Sequence, residues 1–162
     1  MFHQSIVAAQ QRIWIASPYF VPDRGIISAL QLAALRGVDV RILIPDEPDG
    51  PMVAMANWSF TRELLAVGVK VFRYQGGFMH QKVLLMDDQL AGVGTANFDN
   101  RSFRLNFEIT LLVHDVFFAR EVETMLQTDF ARSRQVSLEE FENKPAWFTL
   151  GMATARLFAP VL

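Results

Sequence analysis

A histidine and a lysine two residues apart are the groups in this sequence best suited to act together on an anion. His80 and Lys82 lie in an apolar run, F-M-H-Q-K-V-L-L-M, which predicts a strand, and alternate residues of a strand share a face. Because a buried ammonium without a counter-charge costs several kcal/mol, the pair predicts a cleft that binds an anion such as phosphate. On these two residues alone, a core histidine beside a lysine that reaches solvent stays open as the alternative.

Polar residues on the next segments extend this pair into a set suited to phosphoryl transfer. Residues 94–97, G-T-A-N, predict a small-residue turn where the backbone can approach a ligand closely, and Asn97 offers amide donors there. Residues 106–113 alternate as a strand with Glu108 on one face and apolar residues on the other. In such a set the imidazole attacks phosphorus or protonates a leaving group, and the ammonium and amide hold phosphoryl oxygens. The carboxylate fixes the tautomer of the imidazole.

The elements that must position these residues alternate between helix and strand. Two predicted helices each end at a glycine, Gly37 or Gly68, and lead directly into a β-branched run. This join is typical of βαβ crossovers, so the predicted fold class is α/β, with a mixed, largely parallel β-sheet flanked by helices. Pro18 and Pro22 exclude a strand ladder from residues 17–23. The predicted helices are 2–11, 24–36 (capped by Asp23), 53–67 and 116–132 (capped by Asp115), and the predicted strands are 12–16, 38–44, 69–74, the run carrying His80, 90–93 and 106–113.

Length and composition indicate a globular and rather apolar chain. With 162 residues, of which 51% are hydrophobic and 20% charged, the chain predicts one domain. The net charge of −2 disfavours a nuclease, which would be expected to carry a basic surplus. The absence of cysteine excludes a disulfide scaffold and a thiolate metal site. The N-terminus lacks the pattern of a signal peptide, and no segment has the roughly 18 apolar residues of a membrane span.

Two segments outside this set carry alternative interpretations. The acidic loop 45–51 is either a solvated connector, which we favour, or a functional lid. The tail 145–162 contains a single charge, and a helix over 146–159 would be about 21 Å long, too short to cross a bilayer. The tail either packs on the rest of the protein or contacts a membrane interface. The residues predicted for that contact are Trp147, Phe148, Leu157 and Phe158.

Short motifs and longer strings of the chain match the patterns of one superfamily. H-Q-K-V-L-L-M-D at 80–87 is similar to the H-x-K-x-x-x-x-D signature of the phospholipase D superfamily, and G-T-A-N at 94–97 resembles its G-[ST]-x-N turn. The run from that signature to N-F-E, with I-A-S-P-Y-F-V-P-D at 15–23 and L-R-G-V-D-V-R-I-L-I-P-D at 35–46, resembles the second catalytic half of bacterial cardiolipin synthases. The resemblance covers nearly the whole chain.

The resemblance implies a phospholipase D-like catalytic half-domain over residues 1–144, followed by the apolar tail 145–162. It also implies two such halves related by a pseudo-twofold axis, each giving one His and one Lys to a shared site. One His forms a phosphohistidine intermediate while the other protonates the leaving alcohol, and no metal or other cofactor is expected. The chain carries one signature only, so we expect it to need a second half and to be nearly inactive as a monomer.

The same resemblance assigns individual roles. Asp87 has the opposite strand parity to His80 and Lys82, so we expect it to support the structure rather than contact phosphate. Glu108 resembles the acidic residue that hydrogen-bonds the catalytic imidazole, and whether His80 is the nucleophile or the acid stays open. The predicted catalytic residues are His80, Lys82, Asp87, Asn97 and Glu108, and the predicted substrate contacts are Gly94 and Thr95.

Three functions compete at this point. The first is half of a phosphatidyltransferase that joins two phosphatidylglycerol molecules into cardiolipin and glycerol, as a soluble domain at the surface of a bacterial inner membrane. The second is a homodimeric phosphodiesterase or nuclease that uses water as acceptor, although the net charge makes nucleic acid an unexpected partner. The third is an inactive fragment without its partner half. The long string match and the apolar tail favour the first.

Overall fold

Helices and strands alternate along the chain in the computed structural model, which describes residues 1–47, 50–142 and 144–158. The helices are α1 (Phe2–Ala8), α2 (Arg24–Leu35), α3 (Pro51–Leu65), α4 (Asn100–Arg104), α5 (Val116–Ala131), α6 (Glu139–Glu142) and α7 (Ala146–Phe158). The strands are β1 (Arg12–Ala16), β2 (Phe20–Val21), β3 (Asp39–Pro45), β4 (Lys70–Tyr74), β5 (Val83–Met86), β6 (Leu90–Gly94), β7 (Phe98–Asp99), β8 (Thr110–His114) and β9 (Ser133–Gln135).

The strands assemble into one mixed sheet with a parallel centre. Within the described ranges, seven strands follow the order β8-β6-β5-β1-β3-β4-β9. β1, β3 and β4 are parallel to one another, whereas β5, β6 and β8 on one side and β9 on the other pair antiparallel. The predicted α/β fold with a mixed sheet flanked by helices is confirmed. Only the central strands of the sheet are parallel, because the β5–β6 hairpin and the strands β8 and β9 add antiparallel pairs on either side.

Helices cover both faces of the sheet, so two apolar cores form. On β1, Ile13 and Ile15 belong to the core under α2 and α3. Trp14 and Ala16, which point the other way, belong to the core under α5. The strand 12–16 was predicted with these bounds, because its alternation shows in the sequence.

The helix ends follow the sequence signals. Asp23 and Asp115 cap α2 and α5, and each side chain accepts a hydrogen bond from the backbone N–H three residues on, at 2.9 and 2.8 Å. Gly37 and Gly68 have φ angles of +89° and +90°, the left-handed conformation that ends a helix. Both predicted caps and both predicted glycine stops are confirmed.

The exclusion of a strand from residues 17–23 is wrong, and the strand predicted over 106–113 begins later than expected. Phe20–Val21 forms β2, which pairs in parallel with β7. Pro18 and Pro22 lie on either side of this pair, so they limit the length of the strand without removing its N–H groups. β8 begins at Thr110 rather than at residue 106, because β6 ends at Gly94 and the residues before Thr110 have no ladder partner there.

The apolar tail packs on α3. Phe148 lies edge-on to Trp58, with ring centroids 5.9 Å apart, and Arg156 Nη2 is 2.7 Å from Glu63 Oε2. Trp147 and Leu157 are exposed, so contact of that face with a membrane stays a prediction. No helix in the described ranges is long and apolar enough to cross a membrane. The Phe158 side chain, residues 159–162, and residues 48 and 49 of the acidic loop lie outside the described part.

Candidate active site

His80 and Lys82 lie against each other just before β5. Lys82 Nζ is 3.2 Å from His80 Nδ1 and 3.1 Å from Nε2, and it donates to the His80 carbonyl oxygen at 3.0 Å. The imidazole is exposed, so the alternative of a core histidine is wrong. The predicted strand begins later than expected, at Val83, because its neighbour β1 ends at Ala16 and leaves residues 80–82 without a partner on that side.

An aromatic ring covers one side of the imidazole. Phe78 stacks on His80, with ring centroids 5.7 Å apart and an interplanar angle of 14°. The Phe78 ring is itself 83% exposed, so contacts with the interior do not explain its position. Sequence reasoning missed this residue. Its signal was the i, i+2 spacing, which brings residues 78, 80 and 82 together.

The turn after β6 is held against the start of β8. A Cβ atom on Gly94 would lie 2.2 Å from the Ile109 carbonyl oxygen, so the strand packing requires glycine. The close approach that the sequence indicated is therefore one between two strands, and contact of Gly94 with substrate stays a prediction. The Thr95 N–H donates to the Ile109 carbonyl oxygen at 2.9 Å, and Thr95 Oγ1 accepts from the Ile109 N–H at 3.0 Å.

Ser102 joins the asparagine and glutamate of the predicted set. The Asn97 N–H donates to Ser102 Oγ at 3.1 Å, and Ser102 Oγ donates to Glu108 Oε1 at 3.4 Å. Asp99 Oδ1 accepts from the Ser102 N–H at 2.7 Å and caps α4. Burial raises the pKa of Asp99, although hydrogen bonds from Ser102 and Asn97 act to lower it. Sequence reasoning missed Asp99 and Ser102, although D-x-x-S is a helix-capping pattern.

Glu108 is held as an anion near the ammonium of Lys82. Hydrogen bonding by Thr95 is the main cause that lowers the pKa of Glu108, and the charge of Lys82 acts in the same direction. Glu108 Oε1 also accepts from Asn106 Nδ2 at 3.2 Å. The expected hydrogen bond to His80 is not formed among the described residues, because Glu108 precedes β8 in an irregular segment and turns toward these other donors.

Asp87, the acid of the signature, binds a segment distant in the sequence. Its Oδ1 accepts from the N–H groups of Gln11 and Arg12 at 2.8 and 3.0 Å, and its Oδ2 from that of Gln10 at 3.0 Å. The helix predicted over 2–11 ends at Ala8, and the N–H groups of residues 10–12 bond to this carboxylate instead. Asp87 thus joins the β5–β6 hairpin to the chain entering β1.

The fold of the chain is that of the phospholipase D class. The chain is similar to the crystal structure of a phospholipase D family member, Nuc from Salmonella typhimurium, with a TM-score of 0.73 and 21% identity over 84% of this chain and 88% of that one. It is also similar to phosphatidylserine synthase from Haemophilus influenzae Rd KW20, with a TM-score of 0.78 and 18% identity over 99% of this chain and 44% of that one. These likenesses establish the fold.

Sequence similarity identifies the family within that class. The family described as "Cardiolipin synthase, PLD-like domain" matches residues 2–130. Cardiolipin synthase A of Pseudomonas entomophila strain L48 is 53% identical over 161 residues, and that of Pseudomonas fluorescens strain SBW25 is 52% identical; each match covers 99% of this chain and 34% of the relative. The chain belongs to the cardiolipin synthase PLD-like domain family, which confirms the resemblance. It spans about a third of the length of the curated relatives it matches.

Proposed function

We propose that this chain is one catalytic half of a cardiolipin synthase-type phosphatidyltransferase that joins two phosphatidylglycerol molecules into cardiolipin and glycerol. The observation that carries the proposal is the Lys82 ammonium within 3.2 Å of both nitrogens of the exposed His80 imidazole. An ammonium beside an accessible imidazole suits a phosphodiester, whose charge the ammonium balances while the imidazole reacts. The family and the names of the relatives support the choice of phospholipid as substrate.

The proposed reaction has two displacements at phosphorus. An imidazole nitrogen attacks the phosphorus of one phosphatidylglycerol, the bond from phosphorus to the glycerol oxygen breaks, and a second histidine donates a proton to that oxygen. A headgroup hydroxyl of the second phosphatidylglycerol then attacks the phosphohistidine and returns its proton to the second histidine. Cardiolipin leaves and the first imidazole is free again. His80 fills one of these two roles, and Lys82 and Asn97 hold the phosphoryl oxygens.

The remaining predicted residues act through the geometry of this pair. Thr95 and Gly94 hold the turn that carries Asn97, and Glu108 supplies a negative charge near Lys82. Asp87 is a positioning residue, since its carboxylate is engaged by the backbone N–H groups before β1.

An exposed apolar edge supports a partner half. Phe107 is fully exposed, and Ile109 and Leu111 are 66% and 62% exposed, on alternate positions leading into β8. The sequence predicted this alternation, and these apolar side chains point to solvent beside β8, the last strand at this side of the described sheet. Apolar surface of this kind is typical of a contact surface. We propose that it receives the half that brings the second His and Lys.

The proposal is tested by product analysis. The chain is incubated with phosphatidylglycerol vesicles, with and without the first half of a cardiolipin synthase A, and the lipids are separated and weighed by mass spectrometry. We expect cardiolipin and glycerol only when the first half is present. His80→Ala should abolish both products, whereas His114→Ala, at the opposite end of β8, should not. Phosphatidic acid as the sole product would mean that the site hydrolyses phosphatidylglycerol rather than transferring a phosphatidyl group. Cardiolipin formation by His80→Ala would refute the assignment of His80 to the active site.

A further inference from the structure

A cavity of about 370 Å³ opens beside His80, at the carboxyl ends of the parallel strands β3 and β4. Its lining includes the side chains of Asp46, Glu47, Tyr74 and Gln75, together with the Phe78 ring. Phe78 is the ring that stacks on His80, so the same side chain contacts the imidazole and lines the cavity. Crevices at the carboxyl ends of parallel strands are common ligand sites in α/β proteins. The mechanism above leaves this cavity unused.

The polar groups of the cavity suit hydroxyl groups rather than phosphate. Two carboxylates repel an anion, but they accept hydrogen bonds from hydroxyls, to which a phenol and an amide add both donors and acceptors. Asp46 is already balanced in part: its Oδ1 is 3.7 Å from Nη1 of the buried Arg73, and its Oδ2 accepts from Gln75 Nε2 at 3.3 Å. Arg73 thus balances one of the two carboxylates in part, and the hydroxyl groups of a polyol can donate hydrogen bonds to both.

We infer that this cavity is a headgroup pocket, formed by Asp46, Glu47, Tyr74, Gln75 and Phe78. It binds the glycerol headgroup of the phospholipid whose phosphate lies at His80 and Lys82. The inference rests on the proposed function for the position of the phosphate. It adds a basis on which this half recognises the hydroxyl groups of the headgroup.

Gly76 gives a means to alter the pocket without touching the phosphate site. A Cβ atom on Gly76 would lie 2.4 Å from Tyr74 Oη and 2.5 Å from Tyr74 Cζ. Gly76→Ala must therefore displace the phenol, while His80 and Lys82 keep their side chains. Glu47→Gln changes the pocket in a second way, by removing an exposed carboxylate at small cost to folding.

The test is a titration of the ¹⁵N-labelled chain followed by amide chemical shifts. The probe is glycerol methyl phosphate, a soluble phosphodiester whose single glycerol stands for the headgroup, compared with ethyl methyl phosphate and dimethyl phosphate. We expect glycerol methyl phosphate to shift the amides of residues 74–77 as well as that of Lys82, and to bind about three to ten times more tightly than ethyl methyl phosphate, the equivalent of one or two hydrogen bonds. Gly76→Ala and Glu47→Gln should remove that preference and leave dimethyl phosphate binding unchanged. Glu121→Gln, an exposed carboxylate on α5, should behave as wild type.

The outcomes separate this inference from the proposed function. Shifts confined to Lys82 and residues 95–97 would overturn the headgroup pocket and leave the phosphate site standing. Equal or tighter binding of ethyl methyl phosphate would also overturn it, since the pocket would then not recognise the hydroxyl groups of the headgroup. No shift with any probe would overturn both. If Gly76→Ala loses the dispersed spectrum of a folded protein, Glu47→Gln alone decides the result.

Discussion

Asp87→Asn tests whether the signature acid is a structural clamp. Its carboxylate accepts four hydrogen bonds of 2.8 to 3.2 Å from three successive N–H groups, those of residues 10, 11 and 12. Asparagine keeps one acceptor oxygen but places an NH₂ group where the other oxygen lies, so at least one N–H then faces a donor. Asp87 has a φ of +50°, which asparagine also tolerates, so the substitution adds no backbone strain.

The expected loss follows from the kind of bond that is changed. A hydrogen bond to a charged acceptor contributes about 1.5–3 kcal/mol, and one between neutral groups about 0.5–1.5 kcal/mol. The substitution removes at least one bond and makes the others neutral, but Gln10 and Gln11 are exposed, and water replaces part of what is lost. We therefore expect the free energy of unfolding to fall by about 2 kcal/mol.

The neighbouring acid provides a matched control. Asp88 is in the same hairpin, its side chain is 61% exposed, and its Oδ1 is 2.6 Å from Arg12 Nη2. Asp88 is the exposed member of this ion pair and Arg12 keeps Glu123 as a partner, so Asp88→Asn should cost less, about 0–1 kcal/mol. Urea unfolding at pH 7, followed by tryptophan fluorescence, measures both variants. We expect Asp87→Asn to lose at least about 1 kcal/mol more than Asp88→Asn, with an unchanged m-value. Equal losses would refute the clamp.

Three other properties follow from the contacts described. Burial acts to raise the pKa of Asp39, but hydrogen bonds from Lys70 and Trp14 outweigh it, and the pKa is lowered. The contribution of Asp39 to stability is therefore present above the unfolded-state pKa of about 4 and is lost as the pH falls through the folded-state pKa. The melting temperature of Asp39→Asn should accordingly fall less than that of wild type between pH 7 and 3, and parallel curves would contradict this. Gly94→Ala should lose about 1–3 kcal/mol and protection of the β8 amides in hydrogen exchange, because its Cβ meets the β8 backbone; Gly50→Ala, whose Cβ meets nothing within 4 Å, should lose neither. If Lys82 and Asn97 hold the phosphoryl oxygens, as we propose, turnover by this chain together with its proposed partner half should persist in EDTA; loss of activity that Mg²⁺ restores would refute this assignment.

The parts of the fold that the sequence predicted depend on local signals. The cap at Asp23 and the glycine stop at Gly37 are each set by a few adjacent residues, and they appear as expected. The proximity of His80 and Lys82 depends only on their spacing, so it survives although the strand begins at Val83.

What the sequence did not predict depends on tertiary contacts. The alternation of apolar and polar residues leading into β8 indicated that this segment has two faces. That Ile109 and Leu111 face solvent depends on the position of β8 at the side of the sheet, which the sequence does not show. The β2–β7 pairing joins segments far apart in the chain, between two prolines that read as a loop. The side chain of Glu108 is oriented in part by a hydrogen bond from Ser102, and this contact forms only when α4 is folded.

Charge balance at the site gives a reason for a second half that does not depend on similarity. A phosphodiester carries one negative charge, and its free oxygens gain more as a nucleophile adds to phosphorus, so a competent site needs a surplus of positive charge. This chain offers the ammonium of Lys82, but Glu108, whose pKa is lowered mainly by hydrogen bonding from Thr95 and also by the charge of Lys82, is ionised near it and offsets part of that charge. The surplus then has to come from a group beyond these two. A second half with its own lysine would supply it, and the exposed apolar residues leading into β8 offer that half a surface next to Glu108.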